Sequence, residues 1–406
     1  MIKKSILEEV ITFQKNKIEH SNLGYERSLL SELNHQLLEG YALIISGIRR
    51  CGKSTLLHQY ISKNIRENYV YLNFDSAKLY TFEIDDFQLI DEIVEEKKVN
   101  YLIFDEIQII EGWEIYVRQK LDEGYRVLIS GSNASLLSKE LGTKLTGRHI
   151  TKELFPFSFK EFYSFKQLDV SERSFTSYLN EGGFPAFLKL ADVDLHSALV
   201  DDIIHRDIAV RYNIRDAKSL KHLLQFLATN ISNLISATKL KQYIGVKSTA
   251  TILEYLSYFE QSYLIHLMPK FSYSHKVQLV NPRKIYFIDN ALQQSITPGF
   301  SKDMGRKLEN TVFWELRRKN ITLNYYNENG KECDFVLRNK GEVVDVVQVC
   351  YILNSDNQKR ETEGLLDAMN YFNLKQGTII TMGQDDVILH KGKRIVVVPA
   401  YKYFNQ

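Results

Sequence analysis

The chain has 406 residues, and its 52 Lys and Arg side chains nearly balance its 50 Asp and Glu side chains. This length predicts two or three domains, with cores large enough to be stable without disulfides. The balanced charge neither favours nor excludes a nucleic-acid partner.

The cysteines and the N-terminal residues indicate the compartment. Cys51, Cys333 and Cys350 have the spacing neither of metal ligands nor of a disulfide framework. The first nine residues are charged and amphipathic, unlike a signal peptide, and no apolar run is long enough to span a membrane. We therefore expect a soluble cytoplasmic protein.

Residues 47–54 read Gly-Ile-Arg-Arg-Cys-Gly-Lys-Ser, which fits a phosphate-binding P-loop. The apolar run 41–45 before them is typical of a buried strand, and apolar residues at helical spacing after Ser54 predict a helix. In this strand–loop–helix context, backbone N–H groups and the helix N-terminus face the phosphates. The alternative is a glycine-containing turn with an incidental lysine.

A P-loop at this place would bind ATP with its Mg²⁺. Lys53 would reach the β- and γ-phosphates, and the Ser54 hydroxyl would bind the metal ion. The expected nucleotide-binding residues are Gly47, Ile48, Arg49, Arg50, Cys51, Gly52, Lys53, Ser54 and Thr55.

A second motif follows about fifty residues later. Residues 101–106 are an apolar run that ends in two acids, as expected of a buried parallel strand whose carboxyl end meets the nucleotide. Asp105 would hold Mg²⁺, and Glu106 would orient and deprotonate the attacking water.

Two further runs, residues 69–75 and 126–130, predict more strands. Strands that alternate with helices predict a parallel α/β sheet. Ser132 and Asn133 follow the second run and could sense the γ-phosphate or fix the water. Alternatively, these two residues only form a polar turn that caps the next helix.

The middle of the chain is predicted to be helical. Residues 161–215 are aromatic and helical in pattern, and we expect them to form a lid, with a sharp bend at Gly182 and Gly183. Residues 237–244, Gly245 and a helix beginning at Ser248 then resemble a helix-turn-helix, and the apolar runs 264–268 and 277–280 suit a winged version of it. Such modules commonly bind DNA, although an equally good alternative is packing or protein contacts.

The last segment predicts a helix followed by strands, in an order that resembles the restriction-endonuclease-like fold. Nucleases of that fold need an acid on the helix, an Asp on a strand, and an acid-x-Lys on the next strand. Glu309 and Asp334 match the first two positions, but the third reads Gln348-Val349-Cys350. Because an anionic ligand and a cation are both missing there, we expect this domain not to cut DNA, unless Lys359 replaces the lysine in space.

Several motifs together resemble the prokaryotic AAA-type ATPases that carry a C-terminal domain of unknown function, over residues 25–350. The matching motifs are Arg49-Arg50, Phe104-Asp105-Glu106-Ile107-Gln108, Ser130-Gly131-Ser132-Asn133, Thr146-Gly147-Arg148, residues 154–162, Gly182-Gly183-Phe184-Pro185, residues 205–208 and residues 284–289. The resemblance implies that Arg148 contacts a γ-phosphate, on its own or a neighbouring subunit. A surface arginine or a local ion pair is the alternative.

These observations predict an α/β protein of four segments: a P-loop ATPase core (residues 1–160), a helical lid (161–215), a winged helix-turn-helix (216–295) and an inactive restriction-endonuclease-like domain (296–406). The expected function is Mg²⁺-dependent ATP hydrolysis by a homo-oligomer that binds or remodels DNA, with Lys53, Glu106, Ser132, Asn133 and Arg148 as catalytic residues. The alternatives are a nucleotide-gated signalling or defence switch with a protein partner and, less favoured, an active nuclease.

Overall fold

The computed structural model describes residues 2–33, 37–137, 139–190, 192, 194–297 and 303–405. The chain forms two compact units, Met1–Phe155 and Pro156–Gln406. In the part that is described, no helix has both the length and the apolar character needed to cross a membrane.

The first unit is built on a five-stranded parallel sheet with the order β2-β3-β4-β1-β5. Its strands are β1 (Ala42–Ser46), β2 (Tyr69–Asn73), β3 (Tyr101–Asp105), β4 (Arg126–Gly131) and β5 (His149–Glu153). Strand β4 lies between the strand that precedes residues 47–54 and the strand that ends in Asp105, so the two sequence motifs are one strand apart.

Two helices precede β1, and further helices connect the strands, as parallel pairing requires. They are α1 (Lys4–His20), α2 (Leu29–Leu33), α3 (Lys53–Asn64), α4 (Phe87–Lys97), α5 (Trp113–Asp122) and α6 (Lys139–Lys144), with 3₁₀ turns at Ala77–Leu79, Ile84–Asp86, Ile107–Ile109 and Ala134–Leu137. Every residue of β1 and β3 is buried. This explains why both sequences are continuous apolar runs rather than alternating ones.

The second unit begins with helices. These are α7 (Phe159–Phe165), α8 (Glu172–Glu181), α9 (Pro185–Leu190) and α10 (Asp194–Asp202), followed by a π-helical segment, Ile203–Val210. The π-helix contains the His205-Arg206-Asp207-Ile208 motif. Such segments are rare in soluble proteins.

A small module with a three-stranded antiparallel sheet follows. Its elements are α11 (Ala217–Thr229), β6 (Leu234–Ile235), α12 (Ala237–Ile244), α13 (Thr249–Gln261), β7 (Ile265–Met268), α14 (His275–Val280) and β8 (Arg283–Phe287), with the strand order β6-β8-β7. Gly245 ends α12 in a left-handed conformation, and the Ser248 hydroxyl caps α13. The apolar run 264–268 contains β7, but the run 277–280 lies in helix α14.

The C-terminal part of the second unit is a six-stranded mixed sheet with the order β13-β14-β12-β11-β10-β9. Its elements are α15 (Asn290–Ile296), α16 (Met304–Arg317), β9 (Thr322–Glu328), β10 (Lys331–Asn339), β11 (Glu342–Val349), α17 (Gln358–Tyr371), β12 (Gln376–Thr381), β13 (Asp386–His390), β14 (Lys393–Pro399) and α18 (Ala400–Tyr403). Strands β9, β10 and β11 are antiparallel, whereas β11, β12 and β14 are parallel. Buried apolar residues of α17 and the sheet form its core.

Candidate nucleotide-binding site

Residues 47–52 connect the carboxyl end of β1 to the first residue of α3. A side chain at Gly47 would not fit, because its Cβ would lie 2.1 Å from the carbonyl oxygen of Leu154. Lys53 is 4% exposed, and its Nζ donates hydrogen bonds to the carbonyl oxygens of Gly47 (3.0 Å) and Ile48 (3.1 Å). The loop therefore curls around the ammonium group.

Asp105 ends β3 and is completely buried. Its Oδ2 accepts hydrogen bonds of 3.0 Å from the Tyr71 hydroxyl and from Asn73 Nδ2, both contributed by β2. The hydroxyls of Ser130 and Ser54 also donate to this carboxylate. Burial, and next the charge of Glu106, raise the pKa of Asp105 above its ordinary value, while the serine hydrogen bonds act in the opposite direction.

Glu106 follows immediately and has a left-handed backbone conformation, with φ of 55°. Its Oε1 lies 3.6 Å from Lys53 Nζ, and its Oε2 accepts from the Ser132 N–H (3.2 Å), the Ser132 hydroxyl (3.0 Å) and Gln108 Nε2. Burial alone would raise the pKa of Glu106, but Lys53 and these hydrogen bonds lower it below its ordinary value. Glu106 is therefore held as a carboxylate.

The oxygen groups at this edge of the sheet suit a magnesium ion. The Ser54 hydroxyl and the Asp105 carboxylate are in contact, and hard oxygen ligands of this kind are those that Mg²⁺ prefers beside substrate phosphates. When bound, the ion would neutralise part of the phosphate charge.

The remaining loop residues surround this centre. Ile48 and Cys51 are fully buried, and the Cys51 thiol donates to the Leu154 carbonyl, while burial raises its pKa. The charge of Arg49 contributes to lowering the pKa of Glu106. Arg50 has a positive φ of 64°. Thr55 is half-buried in the first turn of α3.

The two polar residues after β4 occupy different positions. Ser132 contacts the Glu106 carboxylate directly, as described above. The backbone carbonyl of Asn133 instead accepts hydrogen bonds from the Ser46 hydroxyl (3.0 Å) and the Leu136 N–H (3.2 Å), and a 3₁₀ turn begins at the next residue.

Arg148 does not join this group within its own chain. Its carbonyl accepts from the Ala42 N–H, at the amino end of β1, whereas the P-loop follows the carboxyl end of that strand. Four residue steps of about 3.3 Å separate the two ends by roughly 13 Å. The guanidinium pairs with Asp122 (2.6 Å) and contacts the Thr146 hydroxyl (3.2 Å).

Sequence reasoning missed several residues that support the site. Tyr71 and Asn73 orient Asp105, and Gln108 holds Glu106, although Gln108 does belong to the motif at residues 104–108. Arg27 is 4% exposed and donates to the carbonyls of Cys51 and Phe155, both at 2.7 Å.

Gln59 of α3 fixes the segment that carries Arg27. Its Nε2 donates to the carbonyls of Leu23 and Tyr25, both at 2.8 Å, and its Oε1 accepts from the Arg27 N–H. No local pattern in the sequence signals Arg27 or Gln59, because their partners are distant in the chain.

With this geometry established, comparisons with known proteins place the chain among its relatives. Residues 39–163 match a family model described as "AAA domain", and residues 172–303 match a "Domain of unknown function (DUF8612)". The "Uncharacterized protein MJ1544" of Methanocaldococcus jannaschii is 33% identical over 98% of this chain and 96% of its own length. The chain belongs to this family of AAA-domain proteins. An "Uncharacterized protein" of Haemophilus influenzae is also 33% identical, over 80% of this chain and 85% of its own length.

Solved structures show more distant similarity to this AAA-domain protein. The STAND protein PH0952 of Pyrococcus horikoshii, with a tetratricopeptide repeat sensor, has a TM-score of 0.29 and 15% identity over 73% of this chain and 46% of its own. CDC6P of Pyrobaculum aerophilum has a TM-score of 0.27 and 14% identity over 71% and 93%. The S. cerevisiae Hsp104:casein complex has a TM-score of 0.34 and 13% identity over 57% and 50%. At these TM-scores, the similarities carry no functional conclusion.

Proposed function

We propose that this protein is a Mg²⁺-dependent ATP hydrolase of the AAA type that works in the cytoplasm. The observation that carries the proposal is the meeting of Lys53, Ser54, Asp105 and Glu106 at one edge of the parallel sheet. An ammonium, a hydroxyl and two carboxylates in that arrangement are the groups that phosphoryl transfer to water needs.

In this proposal, ATP replaces the internal partners of Lys53. The Lys53 ammonium then binds the β- and γ-phosphates instead of the carbonyl oxygens of Gly47 and Ile48, while Ser54 and Asp105 hold Mg²⁺. Glu106 orients the attacking water and accepts its proton. Ser132 positions Glu106 through two hydrogen bonds, and we propose for Asn133 a smaller role at the same edge.

We further propose that the segment at residues 216–295 is a winged helix-turn-helix that binds DNA without sequence preference. The succession α12, Gly245, α13 and the antiparallel pair β7–β8 supports this assignment. Helix α13 has no basic side chain with which to read base edges. Exposed basic residues around the module, Lys239, Lys247 and Lys276, are suited to phosphate contacts.

For residues 296–406 we propose a restriction-endonuclease-like domain that does not cut DNA. Helix α16 and the strands β9, β10 and β11 support the assignment, and Glu309 of α16 and Asp334 of β10 share a cation, Lys284. The third nuclease position is the neutral Gln348. The exposed Lys359, which pairs with Glu363 on its own helix, is not a replacement for the missing lysine.

A homo-oligomer is part of the proposal because Arg148 is remote from the P-loop of its own chain. In an assembly, the arginine would act on the nucleotide of a neighbouring subunit, as a finger that stabilises transition-state charge. The Arg148 guanidinium would first have to break its ion pair with Asp122.

The experiment that tests this function is ATP hydrolysis by the full chain with Mg²⁺, with and without duplex DNA, at increasing salt. We expect turnover that DNA stimulates, and stimulation that declines steeply with salt because phosphate contacts release counterions. An absence of Mg²⁺-dependent ATP binding would refute the proposal.

One observation favours the second candidate function, a nucleotide-gated switch with a protein partner. A groove of about 440 Å³ with a mixed polar and apolar lining lies between α13, β7 and α14, and three of its apolar residues, Leu253, Leu279 and Val280, are 56%, 61% and 73% exposed. Grooves of this kind suit an amphipathic helix. Turnover that DNA leaves unchanged, together with a nucleotide-dependent change in protein contacts, would favour this function over DNA remodelling.

A further inference from the structure

A second cluster of charged groups lies in the second unit, and neither the AAA-domain match nor the proposed ATP hydrolysis uses it. Its centre is Lys284 of β8, whose side chain is 4% exposed. Lys284 Nζ lies 2.7 Å from Glu332 Oε1, 2.8 Å from Asp334 Oδ1 and 3.3 Å from Glu309 Oε1. One ammonium therefore contacts carboxylates from α16 and from two positions of β10.

The surrounding hydrogen bonds fix two of these carboxylates. The Tyr286 hydroxyl donates to Glu309 Oε1 at 2.7 Å, and the Val349 N–H donates to Asp334 Oδ2 at 2.9 Å. Gln348 accepts from the Asp334 N–H at 3.1 Å and donates to Glu361 at 2.7 Å. The carboxylates therefore stay in place around whatever cation lies between them.

The Lys284 side chain is protonated in this position. Burial alone would lower the pKa of Lys284, but the carboxylates, Asp334 first, raise it well above its ordinary value. Burial raises the pKa of Glu309 to about 8, although Lys284 acts in the opposite direction. The ammonium is thus retained at every pH at which the protein would function.

The restriction-endonuclease-like arrangement proposed above implies a divalent metal at Glu309 and Asp334, but the residues present do not fit one. A metal ion between the two carboxylates would lie beside the ammonium, and like charges a few ångströms apart in a buried site repel strongly. In addition, Gln348 offers no charge where a third acid would be needed. With Lys284 present, no three His, Cys, Asp or Glu side chains in the described part of the chain meet in a geometry that could hold a metal ion.

We propose that Lys284 is a built-in cation that takes the place of a divalent metal, so that the carboxylate cluster of the C-terminal domain is complete without a metal ion. The cluster is then a fixed junction between β8, α16 and β10. Removal of the ammonium leaves three acidic side chains that can ionise as a divalent cation binds, one of which, Glu332, is 39% exposed and open to solvent. Such a vacated site would take a hard divalent cation such as Mn²⁺.

The test counts bound Mn²⁺ by electron paramagnetic resonance on the full chain, without nucleotide, in the wild type and three variants. Lys284→Met removes the ammonium and keeps the length of the side chain. Lys276→Met is the matched control on the exposed face of α14. Asp334→Asn removes a carboxylate while Lys284 stays. We expect Lys284→Met to bind one more Mn²⁺ per chain than the wild type. The Lys276→Met and Asp334→Asn variants should bind the same number as the wild type.

A thermal unfolding scan gives a second readout. Without metal, Lys284→Met should have a lower Tm than the wild type, and Mn²⁺ at 100 times its Kd should raise the Tm of this variant by about 5 °C. The double variant Lys284→Met/Asp334→Asn should lose both the additional ion and this rise. Mn²⁺ should not change the Tm difference between the wild type and Lys276→Met.

Two results would overturn the proposal: a loss of one Mn²⁺ in Asp334→Asn, since the metal would then bind beside Lys284, or no additional ion in folded Lys284→Met. If Lys284→Met does not fold, the Asp334→Asn count decides alone, because an unchanged count supports a metal-independent cluster and a reduced count refutes it. The outcome does not depend on ATP turnover, so failure here and failure of the proposed function are distinguishable.

Discussion

The backbone N–H of Gly183 donates a hydrogen bond of 2.7 Å to Oδ2 of Asp289, a residue 106 positions later in the chain. The other oxygen of this buried carboxylate accepts from the N–H groups of Ala291 and Leu292 and so caps α15. A Cβ at Gly182 would lie 2.2 Å from Asp289 Oδ1, and one at Gly183 would lie 2.4 Å from the Phe157 carbonyl oxygen. Two motifs that are far apart in the sequence, residues 182–185 and 284–289, therefore form one contact.

This contact predicts a large loss of stability in Asp289→Ala. The variant leaves the Gly183 N–H buried without its partner and removes the cap of α15, so we expect the free energy of unfolding to fall by about 2–4 kcal/mol. Chemical denaturation followed by circular dichroism measures the loss. Asp216→Ala, which removes an exposed cap from α11, is the control and should cost about 1 kcal/mol or less. Equal losses in the two variants would contradict the role given to Asp289.

Glu106→Gln should bind ATP and fail to hydrolyse it. The amide keeps the size of the side chain but cannot accept the proton of the attacking water, so kcat should fall by a factor on the order of 10² to 10⁴. Steady-state turnover and the Kd for ATP are the measurements. Glu111→Gln alters an exposed acid five residues away and should leave both unchanged. Normal turnover in Glu106→Gln would exclude this acid as the base.

Lys53→Ala should weaken ATP binding itself. The variant removes a charged hydrogen-bond donor to the phosphates, which corresponds to roughly a 10- to 100-fold increase in the Kd for ATP. Lys63→Ala on the same helix is the control, because Lys63 is half exposed and pairs with Glu26. Calorimetric titration with a non-hydrolysable ATP analogue separates binding from turnover. Unaltered affinity in Lys53→Ala would place the phosphates elsewhere.

Arg148→Ala should lower ATP turnover by at least about 10²-fold if the arginine acts on a neighbouring subunit. Asp122→Ala removes only the internal partner of the arginine and should not reduce turnover. In a mixture of Arg148→Ala and Lys53→Ala chains, part of the activity should return. The Lys53→Ala chains supply Arg148, and the Arg148→Ala chains supply a P-loop with its lysine. If Arg148→Ala and Asp122→Ala behave alike, the arginine serves a local ion pair.

Acid should destabilise the second unit through His266. Burial lowers the pKa of this histidine to about 3, from 6.5 in the unfolded chain, and Arg317 and Arg283 act in the same direction. Because the folded state binds the proton more weakly, the stabilising contribution is complete above pH 6.5 and is lost as the pH falls towards 3, by at most about 1.4 kcal/mol per pH unit.

His266→Phe keeps a ring against Phe313 and removes the titrating group. Its free energy of unfolding should therefore decline less than that of the wild type between pH 6.5 and 4.5. The matched control is His275→Phe on the exposed helix α14, whose pH dependence should follow the wild type. Parallel curves for His266→Phe and the wild type would contradict the assignment.

The sequence predicted those parts of the fold and site that depend on local patterns. The apolar runs at β1 and β3 are buried strands, and residues 47–54 join a strand to a helix, because a parallel strand covered on both faces needs a continuous apolar sequence. The run 277–280 is helical although it is apolar. Such short runs do not distinguish a strand from a helix, and this one has no buried residue.

Contacts between distant residues could not be predicted in this way. The cation beside Glu309 and Asp334 is Lys284, which lies 25 and 50 residues before them, whereas the sequence analysis named only Lys359 as a residue that could take the place of the missing lysine. Likewise, Gln59 and Arg27 support the P-loop through backbone carbonyls that carry no sequence signal. The position of Arg148 depends on strand order, which places its loop at the amino end of β1.

The position of Lys284 has a consequence for dissecting the molecule. Its strand belongs to the three-stranded sheet, while the acids that surround it belong to α16 and β10, so a cut between residues 295 and 303 would leave a buried positive charge on one fragment and buried negative charges on the other. Neither fragment should then be stable when it is expressed alone. Limited proteolysis should accordingly leave the second unit, residues 156–405, as one resistant piece.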